Sequence, residues 1–466
     1  MTGSKDETQQ TQDESAAAKK TKKQKKKDDN WRPQGPRDPF TMLNALPEEK
    51  QQEIQRALHL FNFGPTLPRT LEQAKKHQYH FWDTQPVPKL GCAVTCHGPI
   101  AEGERSVRTE PYSLPQGFTW DTLDITSATV LKELCTLLNE NFTEDDDNTM
   151  RLNFTEDYLK WALQCPQWRP QWHCGVRVNT NKKLVGFIAA APAHVKVYDK
   201  EVKMVQVRLL CVHKKLRLKR MTPVLIRELT RRVTQEGIVQ AIYTTDIVLP
   251  TPLSTCKYWH RPLNLRKLME LNYPGVRQKI TVQRALKLNK LPESTKTPGL
   301  RPMTTANIAS IHSLLQSATS RFDLSTNLSL EEVEHWLLPR DGLIYSYVAQ
   351  GEDGSLTGAF SFHALSSQVL NQPLHTELRE ARLMLCVRSS AESVELMEDA
   401  LELMEDALVL AKAKGFDVFT AFDVMGNKSL LEKLKFNTSS KSMNFYLYNW
   451  QCPAINPDKV GFVLPS

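Results

Sequence analysis

Residues 205–220 read VQVRLLCVHKKLRLKR, and the reading of this stretch decides how the chain is built. Apolar side chains alternate at Val205, Val207 and Leu209, and the alternation slips at Leu210 and Cys211. That pattern predicts a half-buried strand ending in a β-bulge. A basic loop follows, in which five of the seven residues from Lys214 to Arg220 are Lys or Arg. Thr222 and Pro223 then stand where an N-cap and a first helical residue belong, ahead of VLIRELTRRV. Strand, basic loop and helix start together make an anion site, because free helix N–H groups and the positive end of the helix dipole meet cationic donors. A solvated basic turn before an ordinary surface helix fits the same residues, so the segment needs support from elsewhere.

With 466 residues, 40% of them hydrophobic, the chain can bury one large or two medium cores. It has no apolar run of about 18 residues and no apolar signal region at the N-terminus, which excludes a transmembrane helix and a secretory leader and predicts a cytoplasmic protein. Nine cysteines at irregular spacing fit reduced thiols. Cys92, Cys96 and His97 lie close together but lack further ligands at matching spacing, so no metal site is expected. The net charge of +8 admits acidic partners without singling out nucleic acid, and no stacking or groove-reading motif supports that class.

Residues 1–45 lack apolar periodicity and hold seven lysines in the nine positions from Lys19 to Lys27. This is a polybasic tail, read either as a tether to ribosomal RNA or an anionic membrane face, or as a solubilising or localisation segment. PEEKQQEIQRALHLF, from Pro47, spaces Ile54, Leu58 and Phe61 as an amphipathic helix. LKELCTLLNEN, residues 131–141, is a second helix and runs into Glu144, Asp145, Asp146 and Asp147, which read alone as a solvated loop. WRPQWHCGVRV (168–178) and KLVGFIAA (183–190) are strands, GIVQAIYTTDIVL (237–249) is an apolar strand carrying Thr244, and a Pro-rich connection at 291–303 separates two halves. No internal repeat relates the halves. A small tandem repeat, ELMEDAL at 395–401 and 402–408, turns a helix face by about 20 degrees, which one helix absorbs.

Several of these segments resemble signatures of the eukaryotic, vertebrate-type glycylpeptide N-myristoyltransferases. The family's E-[IV]-N-F-L-C-x-H-K corresponds to residues 206–214, its F-W-x-T-Q-P-V to 81–87, its L-L-N-E-N-x-x-E-D-D-D to 137–147, and its C-x-Y-W-H-R to 256–261. The resemblance extends over roughly residues 45–466 and implies the α/β (α+β) class: a duplicated acetyltransferase-like (GNAT) fold, with two pseudo-symmetric halves around a mixed sheet. It implies an acyl-CoA-binding half at 46–262, a half forming the peptide groove at 263–466, and a monomer. The implied reaction moves a myristoyl group from myristoyl-CoA, a co-substrate rather than a permanent cofactor, to the amine of an N-terminal Gly peptide.

The resemblance also implies site residues. The backbone N–H groups of Leu209 and Leu210 form the oxyanion hole, Thr244 assists the amine, and the C-terminal carboxylate, here on Ser466, is the base. Acyl-CoA contacts fall to His80, Phe81, Trp82, Cys211, Val212, Leu218, Lys219, Arg220, Met221 and Thr222. Peptide contacts fall to Glu144, Asp145, Asp146, Asp147, Tyr258 and His260, the carboxylates favouring substrates with Lys or Arg. The chain departs from the family at the chemistry, as a diverged paralogue would. Arg208 replaces the signature Asn, Leu218 a Ser, Asp246 a Gly, and residues 437–441 read NTSSK in place of G-x-G-D-G. Ser466 lies one residue beyond the usual end, a displacement of about 3.3 to 3.8 Å. A cation at position 208 would repel the substrate ammonium or pair with the base. The alternative reading is therefore an impaired member that binds acyl-CoA or N-terminal peptides without turnover.

Overall fold

The computed structural model describes residues 67–101, 108–142, 149–276, 281–370, 372–389 and 394–462. The polybasic tail, the amphipathic segment after Pro47, the carboxylates at 144–147 and Ser466 lie outside the described residues. The strands are β1 (Phe118–Thr122), β2 (Met150–Asn153), β3 (His173–Val178), β4 (Leu184–Val197), β5 (Lys200–Val212), β6 (Ala241–Thr245), β7 (Ser254–Pro262), β8 (Arg301–Pro302), β9 (Leu324–Thr326), β10 (Ile344–Gln350), β11 (Leu356–Val369), β12 (Glu377–Arg388), β13 (Val418–Phe422) and β14 (Asn437–Tyr448). Among the described residues six helices reach eight residues: α1 (Ala128–Asn141), α2 (Glu156–Leu163), α3 (Met221–Thr234), α4 (Ile308–Thr319), α5 (Leu330–Leu337) and α6 (Val394–Ala413).

One mixed sheet runs β1-β3-β4-β5-β6-β14-β7-β13-β12-β11-β10-β8, with β2 added on β11 and β9 on β4. The element order repeats. The series α1-β2-α2-β3-β4-β5-α3-β6-β7 is followed by α4-β9-α5-β10-β11-β12-α6-β13-β14. In each half a long antiparallel hairpin, β4–β5 or β11–β12, leads through a helix to a strand parallel to the hairpin's second arm. The halves exchange elements: β2 pairs with β11, β9 with β4, and β14 inserts between β6 and β7. Apolar side chains on both faces pack under the helices. Val205, Val212 and Leu216 meet Met221, Leu225 and Leu229 of α3 on one face, while Leu209 and Cys211 meet Leu134, Leu137 and Leu138 of α1 on the other.

Three local expectations are corrected. Thr222 is not the N-cap: residues Lys214–Lys219 coil into a 3-10 helix, and Arg220 enters α3 as the cap residue in the left-handed region at φ 54°. The His213 side chain accepts the Lys215 N–H at 3.3 Å and starts that coil. The apolar run at 237–249 is a strand only over Ala241–Thr245. There Thr245 Oγ1 accepts the Ile247 N–H at 3.2 Å, and the Asn444 amide donates to the carbonyls of Thr245 and Ile247, which turns the chain away. The strand predicted at 168–178 begins only at His173, because Pro170–Trp172 is a 3-10 turn with Pro at its start.

Candidate active site

Strands β5 and β6 pair at two positions, Val205↔Ala241 and Gln206↔Ile242, and then part. The bulge falls where the sequence put it. Arg208 faces Ala189 and Cys211 faces Phe187, so Leu209 and Leu210 together oppose one residue of β4. Leu209 has a φ of 50°, a strained value for a branched side chain. A bulge lifts backbone N–H groups out of the ladder, and these two stand at the mouth of the split.

Two surfaces meet at this split. On the α3 side, Trp82 stacks on Tyr243 of β6 with ring centroids 5.7 Å apart, Phe81 lies against Trp82 at 5.1 Å, and Arg227 of α3 sits 5.6 Å over Phe81. Val212 and Met221 are buried in the same cluster, while His80, Lys219 and Arg220 are exposed. The basic turn is tied to the end of α1: the Lys214 N–H donates to Asn141 Oδ1 at 3.1 Å and Arg217 donates to the Asn141 carbonyl. Thr222 is half-buried on the first turn of α3, and the side chain of Leu218 is not described. Cys211 is buried in the other cluster, where burial pushes its thiol up to about 12 and leaves it a small apolar side chain at neutral pH.

On the opposite face, Thr244 opens into a cavity of about 90 Å³ lined also by Tyr158, His363, Arg382, Phe422, Phe445, Gly461 and Phe462. This cavity occupies the second half's counterpart of the split. Strands β12 and β13 pair at three positions, ending at Arg382↔Thr420, and part beyond them. Tyr258 borders the cavity wall, 4.4 Å from Phe422 and 5.7 Å from the Arg382 guanidinium, and burial pushes its hydroxyl up to about 12. His260 is 4% exposed and edge-on to Tyr273, away from the cavity lining. Gly275 makes room for it, since a Cβ there would come within 2.7 Å of His260 Nε2. The structure thus brings Leu209, Leu210 and Trp82 to the first split and Thr244 and Tyr258 to the cavity.

Arg208 does not lie where the signature substitution suggested. It is level with Thr244, two residues beyond the last β5–β6 pair, but its guanidinium turns toward α2 and α5. Nη1 donates to the Ala162 carbonyl at 2.7 Å, Nη2 to Gln206 Oε1 at 3.1 Å, and the group lies 4.6 Å over the Trp336 ring. Its Nε has no partner among the described residues, and it is 2% exposed and absent from the cavity lining. The NTSSK block is a strand instead of a glycine loop: Thr438 pairs with Trp259 and Ser442 with Lys257, so Ser439, Ser440 and Lys441 bulge opposite Tyr258. Asp246 reaches Arg69 at 3.8 Å. The cavity residues His363, Arg382 and Asn427 carried no signal in the sequence reading. They come from three separate elements, and only the second split collects them.

The sequence matches the Myristoyl-CoA:protein N-myristoyltransferase N-terminal domain family over residues 100–256 and the corresponding C-terminal domain family over residues 270–463. Glycylpeptide N-tetradecanoyltransferase 2 of Danio rerio is 52% identical over 420 residues, 90% of this chain and 84% of the relative. The Bos taurus protein of the same name is 49% identical over 426 residues, 91% of this chain and 84% of that one. Among solved structures, Saccharomyces cerevisiae N-myristoyltransferase with bound myristoyl-CoA superposes with a TM-score of 0.80 at 36% identity, covering 83% of this chain and 99% of its own. On both halves of its sequence and on its fold, this chain belongs to the N-myristoyltransferase family.

Proposed function

We propose that the chain transfers a myristoyl group from myristoyl-CoA to the amine of an N-terminal glycine. The observation that carries this reading is the bulge at Leu209 and Leu210, set in a split that joins an aromatic and basic surface to the cavity lined by Thr244. In the domain arrangement we propose, residues 46–262 chiefly hold the acyl-CoA, 263–466 shape the acceptor groove, and 1–45 are the polybasic tail. Lys219 and Arg220, exposed at the start of α3, face the CoA phosphates. Phe81 and Trp82 line the acyl-CoA site, with His80, Val212, Met221 and Thr222 on the same α3 side and Cys211 bordering it from the α1 side.

The chemistry needs a neutral amine and a stabilised oxyanion. The glycine ammonium gives a proton to a base, which the family assigns to the terminal carboxylate, and the Thr244 hydroxyl orients the freed lone pair. The nitrogen attacks the thioester carbonyl carbon, and the N–H groups of Leu209 and Leu210 hold the charge on oxygen. Collapse breaks the C–S bond and releases CoA thiolate, and loss of the second proton from nitrogen leaves the amide. Arg208 does not favour the reading as a silent binding protein, because its cation is spent on α2 and the Trp336 ring instead of the cavity.

The lysines from Lys19 to Lys27 suit an anionic surface, ribosomal RNA or a membrane face, near which cytoplasmic acyl-CoA and new N-termini meet. Among the described residues no helix is long and apolar enough to cross a membrane. The test is single-turnover transfer from labelled myristoyl-CoA to a Gly-initiated, Lys-containing peptide. Acylated peptide is the expected product. Tight acyl-CoA binding with no product would overturn the assignment in favour of a non-catalytic binder.

A further inference from the structure

The cavity holds a polar pair that the transfer chemistry does not use. Arg382 and His363 are direct cross-strand partners on β12 and β11, and both line the cavity. Arg382 Nε and Nη2 are held by one oxygen, Glu380 Oε1, at 2.9 and 2.8 Å, and that oxygen also accepts the Thr420 hydroxyl at 2.5 Å. The guanidinium is therefore fixed in orientation, and Nη1 has no partner among the described residues. His363 is 2% exposed, and its Nδ1 has no hydrogen-bond partner among the described residues. Burial and the neighbouring Arg382 push this imidazole down to about 3, so it stays neutral at physiological pH and adds no second cation.

A fixed guanidinium arm beside an unsatisfied buried ring nitrogen is an incomplete hydrogen-bond set. The cavity's remaining walls are mostly apolar: Phe422, Phe445 and Phe462 would exclude water from whatever enters. A ligand group that completes the set must present oxygen acceptors to Nη1 and fit a volume of about 90 Å³. A carboxylate does so best, since charged acceptors form the shorter and stronger bonds to guanidinium.

We infer that Arg382, with His363 beside it, is a specificity subsite that reads a carboxylate side chain of the acceptor peptide a few residues beyond its glycine. This rests on the proposed acyl transfer to glycine peptides and names one class of acceptor for it. The carboxylates expected at 144–147 would select the opposite sign, so the preferred acceptor carries an acidic and a basic side chain at different positions.

The test measures binding of Gly-initiated peptides to the full chain by calorimetry, with Glu or Gln at each of the positions that follow the glycine in turn, alongside transfer to the Gln peptides. At one position the Glu peptide is expected to bind about tenfold tighter than its Gln counterpart, or ~1.4 kcal/mol. Arg382→Lys, which keeps the charge and loses the fork, should reduce that ratio. Arg382→Gln combined with Glu380→Gln, which strands no charge, should bring it to about one. Thermal melts verify that each variant is folded. A ratio below about twofold at every position, or a ratio that survives the double substitution, would overturn the inference while transfer to Gln peptides leaves the function standing. Failure of every peptide to bind or to be acylated would overturn both.

Discussion

Acidification from about pH 7 to about pH 5 should cost this fold several kcal/mol, and the three histidines pushed furthest down carry most of the loss, with His260 and His213 also lowered by burial and adding to it in the same direction. His173 is fully buried under Trp168, with burial pushing its imidazole down to about 4. His335, held by the Trp161 carbonyl at 2.8 Å, is also pushed down to about 4, by burial first and by Arg340 and Arg208 nearby. His363 falls to about 3 for the reasons given above. In each case the folded value lies below the unfolded one, so the unfolded chain binds more protons, and stability present above the unfolded pKa is lost as pH falls. With an unfolded value of about 6.5, each site loses about 2 kcal/mol over that interval and the three together about 6. The loss continues toward the folded values near 3 and 4. Glu228, held low by Arg231, Arg232 and the Tyr112 N–H, titrates below this range and adds little. Urea unfolding at the two pH values measures the sum, and His363→Leu isolates one share: the variant should lose about 4 kcal/mol where the unaltered chain loses about 6. Equal losses in the two proteins would refute the assignment of His363 as a neutral buried imidazole.

Other substitutions separate chemistry from scaffold. Thr244→Val should lower single-turnover transfer about 10- to 100-fold while acyl-CoA affinity, read by fluorescence titration, stays within about twofold. Arg208→Asn bares the Trp336 face and should cost about 2 to 4 kcal/mol in chemical denaturation without raising turnover at neutral pH. A tenfold gain in turnover would mean that the guanidinium reaches the amine after all. Gly299→Ala places a Cβ into the Gln350 carbonyl at a backbone φ of 63°, and should lower stability by about 3 kcal/mol or more in the same assay.

The stretch at 205–220 was legible because strand alternation, bulge and basic turn are local, each written in neighbouring residue types. Even there the helix start was misplaced by two residues, since a left-handed Arg220 leaves no compositional mark. The run at 237–249 misled because apolar side chains report burial and not hydrogen bonding, and the turn after Thr245 is set by Asn444, far away in the chain. No internal repeat in the residues marks the duplication, which the family resemblance implied and the order of elements makes plain. Two hairpins of matching length need alternating burial, not the same residues. Arg208 shows the limit most clearly: its identity announced a change at the site, while its direction depends on the Ala162 carbonyl and the Trp336 ring, which no reading of the signature could supply. The ELMEDAL repeat went as its period required. Its equivalent aspartates serve one flank of α6, Asp399 pairing with Arg388 at 2.8 Å and Asp406 accepting the Lys296 and Thr297 N–H groups at 2.8 Å.

The place of β14 between β6 and β7 has a consequence for biosynthesis. Strand β7 takes both of its neighbours, β13 and β14, from the far end of the chain, and β6 waits for β14 on one edge. At ~5–20 residues per second, roughly 10 to 40 seconds separate the emergence of β6 from that of β14. Until β13 emerges a nascent chain carries three apolar strand edges, one of β6 and both of β7, with no partner of its own to cover them, and two of these stay open until β14 follows. Folding of the first half is therefore provisional until translation is almost complete, and a ribosome stalled before residue 437 would hold an aggregation-prone intermediate that needs a chaperone.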